Sequence, residues 1–372
     1  MSERRRASDH DERDVRVRPN RRGSRPRTKD RPDHADAVAG RVLTIDRGRI
    51  TTLVGEGGGS RGPDGEHVVT AMRARELGRA GIAVGDRVGL VGDVSGATDS
   101  LARIVRIEER STVLRRSADD TDPVERVLVA NAHQLLVVTA VADPAPQQRL
   151  VDRCLAAAWS AGIQPVLVLT KADLGDPAGA LAAWSALDVP VVVLRRVVGA
   201  DGERALEGVE AVRDLLVGRE SVLVGPSGVG KSTLVNALVP GAGRATGGVN
   251  ESTGRGRHTS SSAVALSLRG ADGEREGWVI DTPGVRSFGL AHLSADDLLR
   301  AFDDLEPGTA ECPRGCSHDE AECGLDAWVA AGAAGRVTLL SLLLGAAAIA
   351  AGAGEAGMAA MMAGQTAAMG KF

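Results

Sequence analysis

The chain has 372 residues, 43% of them apolar and 25% charged, with a formal net charge of −4. This is long enough for two or three domains and places the chain among ordinary soluble globular proteins. Four cysteines are too few for a disulfide framework, and no apolar signal-peptide core opens the N-terminus, which argues against export.

The charge is unevenly spread. Arg16, Arg18, Arg21, Arg22, Arg25, Arg27, Lys29 and Arg31 face the single acid Asp30, with Pro19, Pro26 and Gly23 among them. So polar a stretch cannot offset the entropy of folding, and residues 1–36 read as a disordered basic arm. It is either a solvated tail or an arm that neutralises nucleic-acid phosphates.

Five short strands are predicted next, at Val42–Ile45, Ile50–Val54, Val68–Ala71, Asp86–Val91 and Leu101–Ile107, separated by Gly-rich or polar turns. Such spacing over residues 37–115 suits a small β-barrel of the OB-fold kind, a frequent binder of single-stranded nucleic acid. The segment has no Phe, Trp or Tyr, so any RNA contact rests on charge and shape. From about Val127 apolar runs alternate with helical stretches. Strands are predicted at Leu135–Ala140, Val166–Leu169, Val191–Leu194 and Val222–Val224, and helices at Leu150–Ala161, Leu181–Leu187 and Ala205–Val217. That alternation means a mostly parallel sheet covered on both faces. Cys154, alone in its helical run, reads as a small core residue.

Three motifs carry chemistry. Thr170-Lys171-Ala172-Asp173 ends the strand Val166–Leu169 and has the form T-K-x-D. The Asp173 carboxylate can accept hydrogen bonds from guanine N1–H and its exocyclic amine, and the Lys171 stem can lie along the base. The alternative is a strand-end turn with a helix N-cap. Gly225-Pro226-Ser227-Gly228-Val229-Gly230-Lys231-Ser232 fits G-x-x-x-x-G-K-[ST] between a strand and the helix Thr233–Leu238. Its glycines let backbone N–H groups turn around phosphates, and the helix N-terminus adds its positive end. Lys231 reaches the β- and γ-phosphates, and the Ser232 hydroxyl ligates Mg²⁺. Asp281-Thr282-Pro283-Gly284 follows the strand Trp278–Ile280. There Asp281 holds the magnesium through water and the Gly284 N–H senses the γ-phosphate. In isolation this tetrapeptide could be an ordinary turn; following the phosphate loop at the end of a strand, it is strong.

The base-reading motif precedes the other two, so the order is circularly permuted. A sheet tolerates such rewiring when the old termini lie close together. Between phosphate loop and D-x-x-G lies Gly254-Arg255-Gly256-Arg257-His258-Thr259-Ser260, where a switch with a Thr or Ser completing the magnesium shell is expected. Val285 follows Gly284 and cannot orient water, which leaves His258 as the candidate catalytic group or, alternatively, a surface histidine in an RNA-facing loop. Cys312, Cys316, His318 and Cys323 form C-x₃-C-x-H-x₄-C, a complete tetrahedral set for one structural Zn²⁺. The alternative is free buried thiols. Val337–Gly354 carries no charge over eighteen residues; its Ala/Gly-rich second half and the absence of a flanking basic cluster favour a terminal helix or tail over a membrane span.

The succession T-K-A-D, G-P-S-G-V-G-K-S, G-R-G-R-H-T-S, D-T-P-G and the Cys/Cys/His/Cys cluster closely resembles the RsgA/YjeQ family, over about Ala37 to Trp328. The resemblance implies an OB-fold domain at 37–115, a permuted α/β P-loop GTPase domain at 116–290, an α-helical zinc domain at 291–335 and an Ala/Gly-rich tail at 336–372. It further implies a cytoplasmic, monomeric GTPase that binds the small ribosomal subunit and its rRNA and hydrolyses GTP to GDP during late subunit maturation. Carried across, Thr170, Lys171 and Asp173 read guanine, and Gly225 to Thr233 hold phosphates and Mg²⁺. Asp281 and Gly284 form the second magnesium motif, His258 is catalytic, and the Cys/His set binds zinc. Three features depart from the family. Two gaps of the zinc motif are each one residue shorter than the familiar C-x₄-C-x-H-x₅-C. No Ser-Ala element follows T-K-x-D near Leu194-Arg195-Arg196, and the tail lacks a charged helix. Two rival functions remain: an ATP-using P-loop enzyme, which Asp173 opposes, and a nucleotide-gated rRNA-binding module with negligible hydrolysis.

Overall fold

The computed structural model describes residues 34–55, 65–77, 81–116, 126–185, 187–199, 202–243, 262–284, 288–290, 299, 305–316 and 322–331. The basic arm up to residue 33, His258 and Thr259, Val285, His318 and the tail from residue 332 lie outside them.

Alternating sequence builds the N-terminal barrel. Its strands are β1 (Val38–Asp46), β2 (Arg49–Val54), β3 (His67–Arg73), β4 (Arg87–Gly92) and β5 (Ala102–Ile107). They close in the order β1-β2-β3-β5-β4-β1, with β3 and β5 parallel and the rest antiparallel. The inward-facing positions, Val42, Ile50, Val69, Ala71, Val88, Leu90, Ala102 and Ile104 among them, fill the interior. The β1–β2 connection is the two-residue turn Arg47-Gly48, with φ of 46° and 83°. Two left-handed residues in succession match the twist of the flanking strands, and Gly48 adopts its φ without strain.

A hairpin of β6 (Val113–Arg116) and β7 (Arg126–Ala130) joins barrel to sheet. The Asn131 side chain accepts from Ser111 N and donates to Gly85 O, so the crossover is stitched to both sides.

The central sheet uses β8 (Gln134–Ala140), β9 (Gln164–Thr170), β10 (Val191–Val193), β13 (Glu220–Val224), β14 (Val264–Arg269) and β15 (Arg275–Asp281), in the order β10-β9-β8-β13-β15-β14. The first five are parallel and β14 is antiparallel. β8 and β13 are buried along their whole lengths, as a sheet covered on both faces requires. Leu135 and Val137 face α1 (Gln148–Ser160), where Cys154 is a buried core residue as expected. Leu136, Val138 and Ala140 face the other layer, with α3 (Val209–Leu216) and α4 (Lys231–Leu238).

Two predicted helices are corrected. In place of Leu181–Leu187 the chain forms α2 (Pro177–Leu181) and then a 3₁₀ turn over Ala182–Trp184. Asp176 caps α2 by accepting from Ala178 N and Gly179 N with Pro177 in the first turn, so the helix starts early. Trp184 then turns inward to donate to Asp152 Oδ1 at 2.8 Å. The start of Ala205–Val217 is a strand, β12 (Arg204–Glu207), paired with β11 (Arg195–Val198). Gly208, at φ 90°, breaks the run before α3, and a Cβ there would come within 2.4 Å of Val193 O. β14 carried no prediction.

The barrel is fixed to the N-terminal ends of β13 and β15. Arg41 of β1 donates to both carboxylate oxygens of Glu220, at 2.7 and 3.0 Å, and both residues are buried. The Arg41 guanidinium also lies 5.0 Å from the centre of the Trp278 ring, with Arg275 at 4.5 Å. Arg275 in turn binds Glu66, from the turn before β3, at 2.5 Å. Toward the C-terminus a 3₁₀ segment, Glu306–Glu311, meets α5 (Gly324–Ala330), with Gly308 tight against Leu325 and Trp328.

Candidate nucleotide and metal sites

In a doubly wound sheet ligands lie beyond the carboxyl ends of the parallel strands. All three nucleotide motifs come together there. Register fixes the meeting: Leu223 of β13 pairs with Asp281 of β15, and Val224 pairs with Val137 of β8. Gly225 approaches β8 so closely that a Cβ would fall 2.1 Å from Val138 O, which is why the phosphate loop begins with glycine. Gly230, at φ 100°, then caps α4, directing the first-turn N–H groups toward the loop.

Lys231 is buried beneath the loop. Its ammonium donates to Gly225 O at 2.6 Å and Pro226 O at 2.8 Å. Burial pulls its pKa down to about 8, against the nearby Asp281 carboxylate, which raises it. A cation held on carbonyls beneath a ring of inward N–H groups is suited to bind polyphosphate. Ser232 and Thr233 follow on the first turn of α4, half-buried.

Asp281 is buried at the end of β15, and Thr282 Oγ1 donates to Leu223 O at 2.6 Å, tying the magnesium motif to the phosphate-loop strand. Gly284 rests on the loop: a Cβ there would be 3.1 Å from Ser227 N and Cα. Asp281 lies near Lys231, the residue before Ser232; a carboxylate and a hydroxyl are the hard oxygen donors that Mg²⁺ requires.

The base-reading strand is tied to the same loop. Thr170 Oγ1 donates to Val229 O at 2.5 Å and lies 3.2 Å from Thr139 O. Lys171, at φ 55°, turns its ammonium onto the backbone carbonyl of Asp143. Ala172 N donates to Leu194 O, and Asp173, exposed, accepts from Arg196 N at 3.0 Å. One contributor carried no expectation from the sequence, the Asp143-Pro144 loop after β8; the Leu194–Arg196 backbone stands at the place expected for a Ser-Ala element. The signal for the first was a Pro-rich loop leaving the carboxyl end of a central strand.

The Sγ atoms of Cys312, Cys316 and Cys323 lie within 4.8 Å of one another, and Cys312 Sγ is 3.8 Å from Cys323 Sγ. Two bonds of 2.3 Å at a tetrahedral angle place zinc-bound sulfurs about 3.8 Å apart, so these thiols fit the ion. His318 lies outside the described residues.

A parallel sheet carrying a phosphate loop, a magnesium motif and an earlier base-reading motif defines a circularly permuted P-loop GTPase. The family model described as RsgA GTPase matches residues 107–291. A relative named "Small ribosomal subunit biogenesis GTPase RsgA" from Gemmatimonas aurantiaca is 36% identical over 252 residues, covering 67% of this chain and 78% of its own. One of the same name from Neisseria meningitidis is 36% identical over 295 residues, 78% of this chain and 88% of its own. Among solved structures, YjeQ from Thermotoga maritima superposes with a TM-score of 0.55 at 23% identity, over 82% of this chain and 97% of that one. YloQ, described as a circularly permuted GTPase, gives 0.54 at 20% identity over 84% and 96%. The chain belongs to the RsgA GTPase family.

Proposed function

We propose that this chain binds the small ribosomal subunit through its rRNA and assists its late maturation, hydrolysing GTP to GDP and phosphate with turnover stimulated by that subunit. The observation that carries the reading is the tie between Thr170 and Val229, which sets the T-K-x-D motif against the phosphate loop in permuted order. Relatives 36% identical to this chain are named for small ribosomal subunit biogenesis.

Asp173 accepts from guanine N1–H and the exocyclic amine, with the Lys171 stem along the ring. The N–H groups of residues 225–233 surround the phosphates, and Lys231 leaves its carbonyls for the β- and γ-oxygens. Ser232 and Asp281 would hold Mg²⁺, with Thr259 completing its shell; the ion supplies charge neutralisation at the phosphates. Gly284 N–H reports the γ-phosphate. His258 positions the attacking water when the subunit is bound. Cys312, Cys316, His318 and Cys323 hold one structural Zn²⁺ with no open position for catalysis. Residues 37–115, 116–290 and 291–335 serve as barrel, GTPase and zinc domains of a cytoplasmic monomer, with the basic arm adding salt-dependent affinity.

Val285, beside the switch glycine, favours a second reading: a nucleotide-gated rRNA-binding module with negligible turnover. Hydrolysis measured with and without purified small subunits separates the two. The expected outcome is slow basal turnover, strong stimulation, and loss of most of that stimulation in His258→Ala with GTP and subunit binding intact. Unstimulated turnover would leave the binding module standing, and full stimulation in His258→Ala would move the water-positioning role elsewhere.

A further inference from the structure

The loop between β8 and α1 has no role in the three motifs, yet it binds one of them and lies beside another. On one side, the backbone carbonyl of Asp143 accepts from the Lys171 ammonium, and Asp143 Oδ2 lies 3.4 Å from the same nitrogen. On the other side, Pro144 Cδ is 3.9 Å from the point where Gly228 of the phosphate loop would carry a Cβ. Lys171 belongs to the base end of the site and Gly228 to the phosphate end. A nucleotide is built base–ribose–phosphate, so an element in contact with both ends flanks the sugar.

Chemistry at that place fits a sugar. The Lys171 side chain is only 12% exposed, whereas the Asp143 side chain is 89% exposed, with free lone pairs beside the site mouth. A carboxylate is acceptor-only and can take both hydroxyls of a ribose at once. Pro144 and Pro146 restrict the loop's backbone, so little ordering is needed on binding. Asp143 itself holds φ at 46°, a left-handed conformation that Asp and Asn tolerate better than other side chains. The neighbouring Lys171 ammonium offsets the repulsion between this carboxylate and the phosphates.

We infer that the Asp143-Pro144 loop is the ribose wall of the nucleotide site, and that the Asp143 carboxylate accepts hydrogen bonds from the 2′- and 3′-hydroxyls, making the site selective for ribonucleotides. The inference rests on the guanine-nucleotide reading above. It makes Asp143 a specificity residue that touches the ligand, and not merely a brace for Lys171.

The test compares GDP with 2′-deoxy-GDP and 3′-deoxy-GDP, which avoids turnover, by calorimetry on the full-length protein. Wild type is expected to prefer GDP by roughly tenfold or more, the worth of a charge-assisted hydrogen bond. Asp143→Gly, which suits the left-handed backbone, is expected to bind all three alike, below the wild-type affinity for either deoxy form and with GDP losing most. Asp143→Asn, which keeps one acceptor oxygen and the backbone preference, is expected to fall between. Equal weakening of all three ligands by Asp143→Gly would overturn the inference and leave the residue a brace for Lys171. So would a wild type blind to the hydroxyls, or undiminished discrimination in both variants. Tight GDP binding alongside any of these results leaves the guanine reading intact; failure of wild type to bind any guanine nucleotide takes both down.

Discussion

The two ends of strands β13 and β15 are built on opposite principles. At their amino ends Glu220 and Trp278 are buried against Arg41 and Arg275, every charge is answered, and the barrel is held in place. At their carboxyl ends, four residues beyond Glu220 and three beyond Trp278, the chain keeps Lys231 on borrowed carbonyls with Asp281 near it. The same short strands therefore carry an anchor and a reactive edge. Substitutions at the anchor should cost fold stability and leave the nucleotide site's affinity alone; substitutions at the edge should do the reverse.

The largest effect is expected outside both ends, where it serves as a control. Cys316→Ser should release the metal and unfold the Cys-bearing segment, because a structural zinc site supplies on the order of 10 kcal/mol of folding free energy. Elemental analysis should give one zinc per wild-type chain and none in the variant, while GDP affinity stays unchanged. A fully folded wild type without zinc would reject the site.

Next in size is the anchor. Arg41→Ala leaves the buried Glu220 carboxylate only the longer contact with Arg87, at 3.4 Å, and should cost up to about 3–5 kcal/mol in denaturant unfolding. The variant that remains folded should bind GDP as wild type does. A large loss of affinity at unchanged stability would erase the contrast between the two ends.

The smallest is at the edge. Thr170→Val removes the donor that ties the base-reading strand to Val229 O, a bond worth about 0.5–1.5 kcal/mol. The melting temperature should barely move while the Kd for GDP rises severalfold. A drop in stability as large as that of Arg41→Ala would show that the tie is part of the scaffold.

What could be read from sequence followed from how local each signal is. The barrel strands alternate within six to nine residues, and all five were legible from Val42 to Ile107. The phosphate loop and the cysteine cluster are contiguous or nearly so, and the structure brings the three thiols together as their spacing implied. The helix predicted across Ala205–Val217 failed because composition alone does not show that Gly208 must pass under Val193 O, a contact fixed by tertiary structure. Arg41 and Glu220 are 179 residues apart, and nothing near either one names the other. The Asp143-Pro144 loop went unnoticed for the same reason: Lys171, beside Asp143, and Gly228, beside Pro144, become its neighbours only once β8, β9 and β13 lie side by side.

The claim that the reactive edge reads guanine is tested most directly by nucleotide competition at Asp173. Wild type should bind GTP far more tightly than ATP. Asp173→Asn should weaken GTP by roughly 1.5–3 kcal/mol, the cost of a charge-assisted pair, and strengthen xanthosine triphosphate, whose C2 carbonyl oxygen accepts a bond from the new amide. Equal affinity of the wild type for ATP and GTP would contradict the assignment.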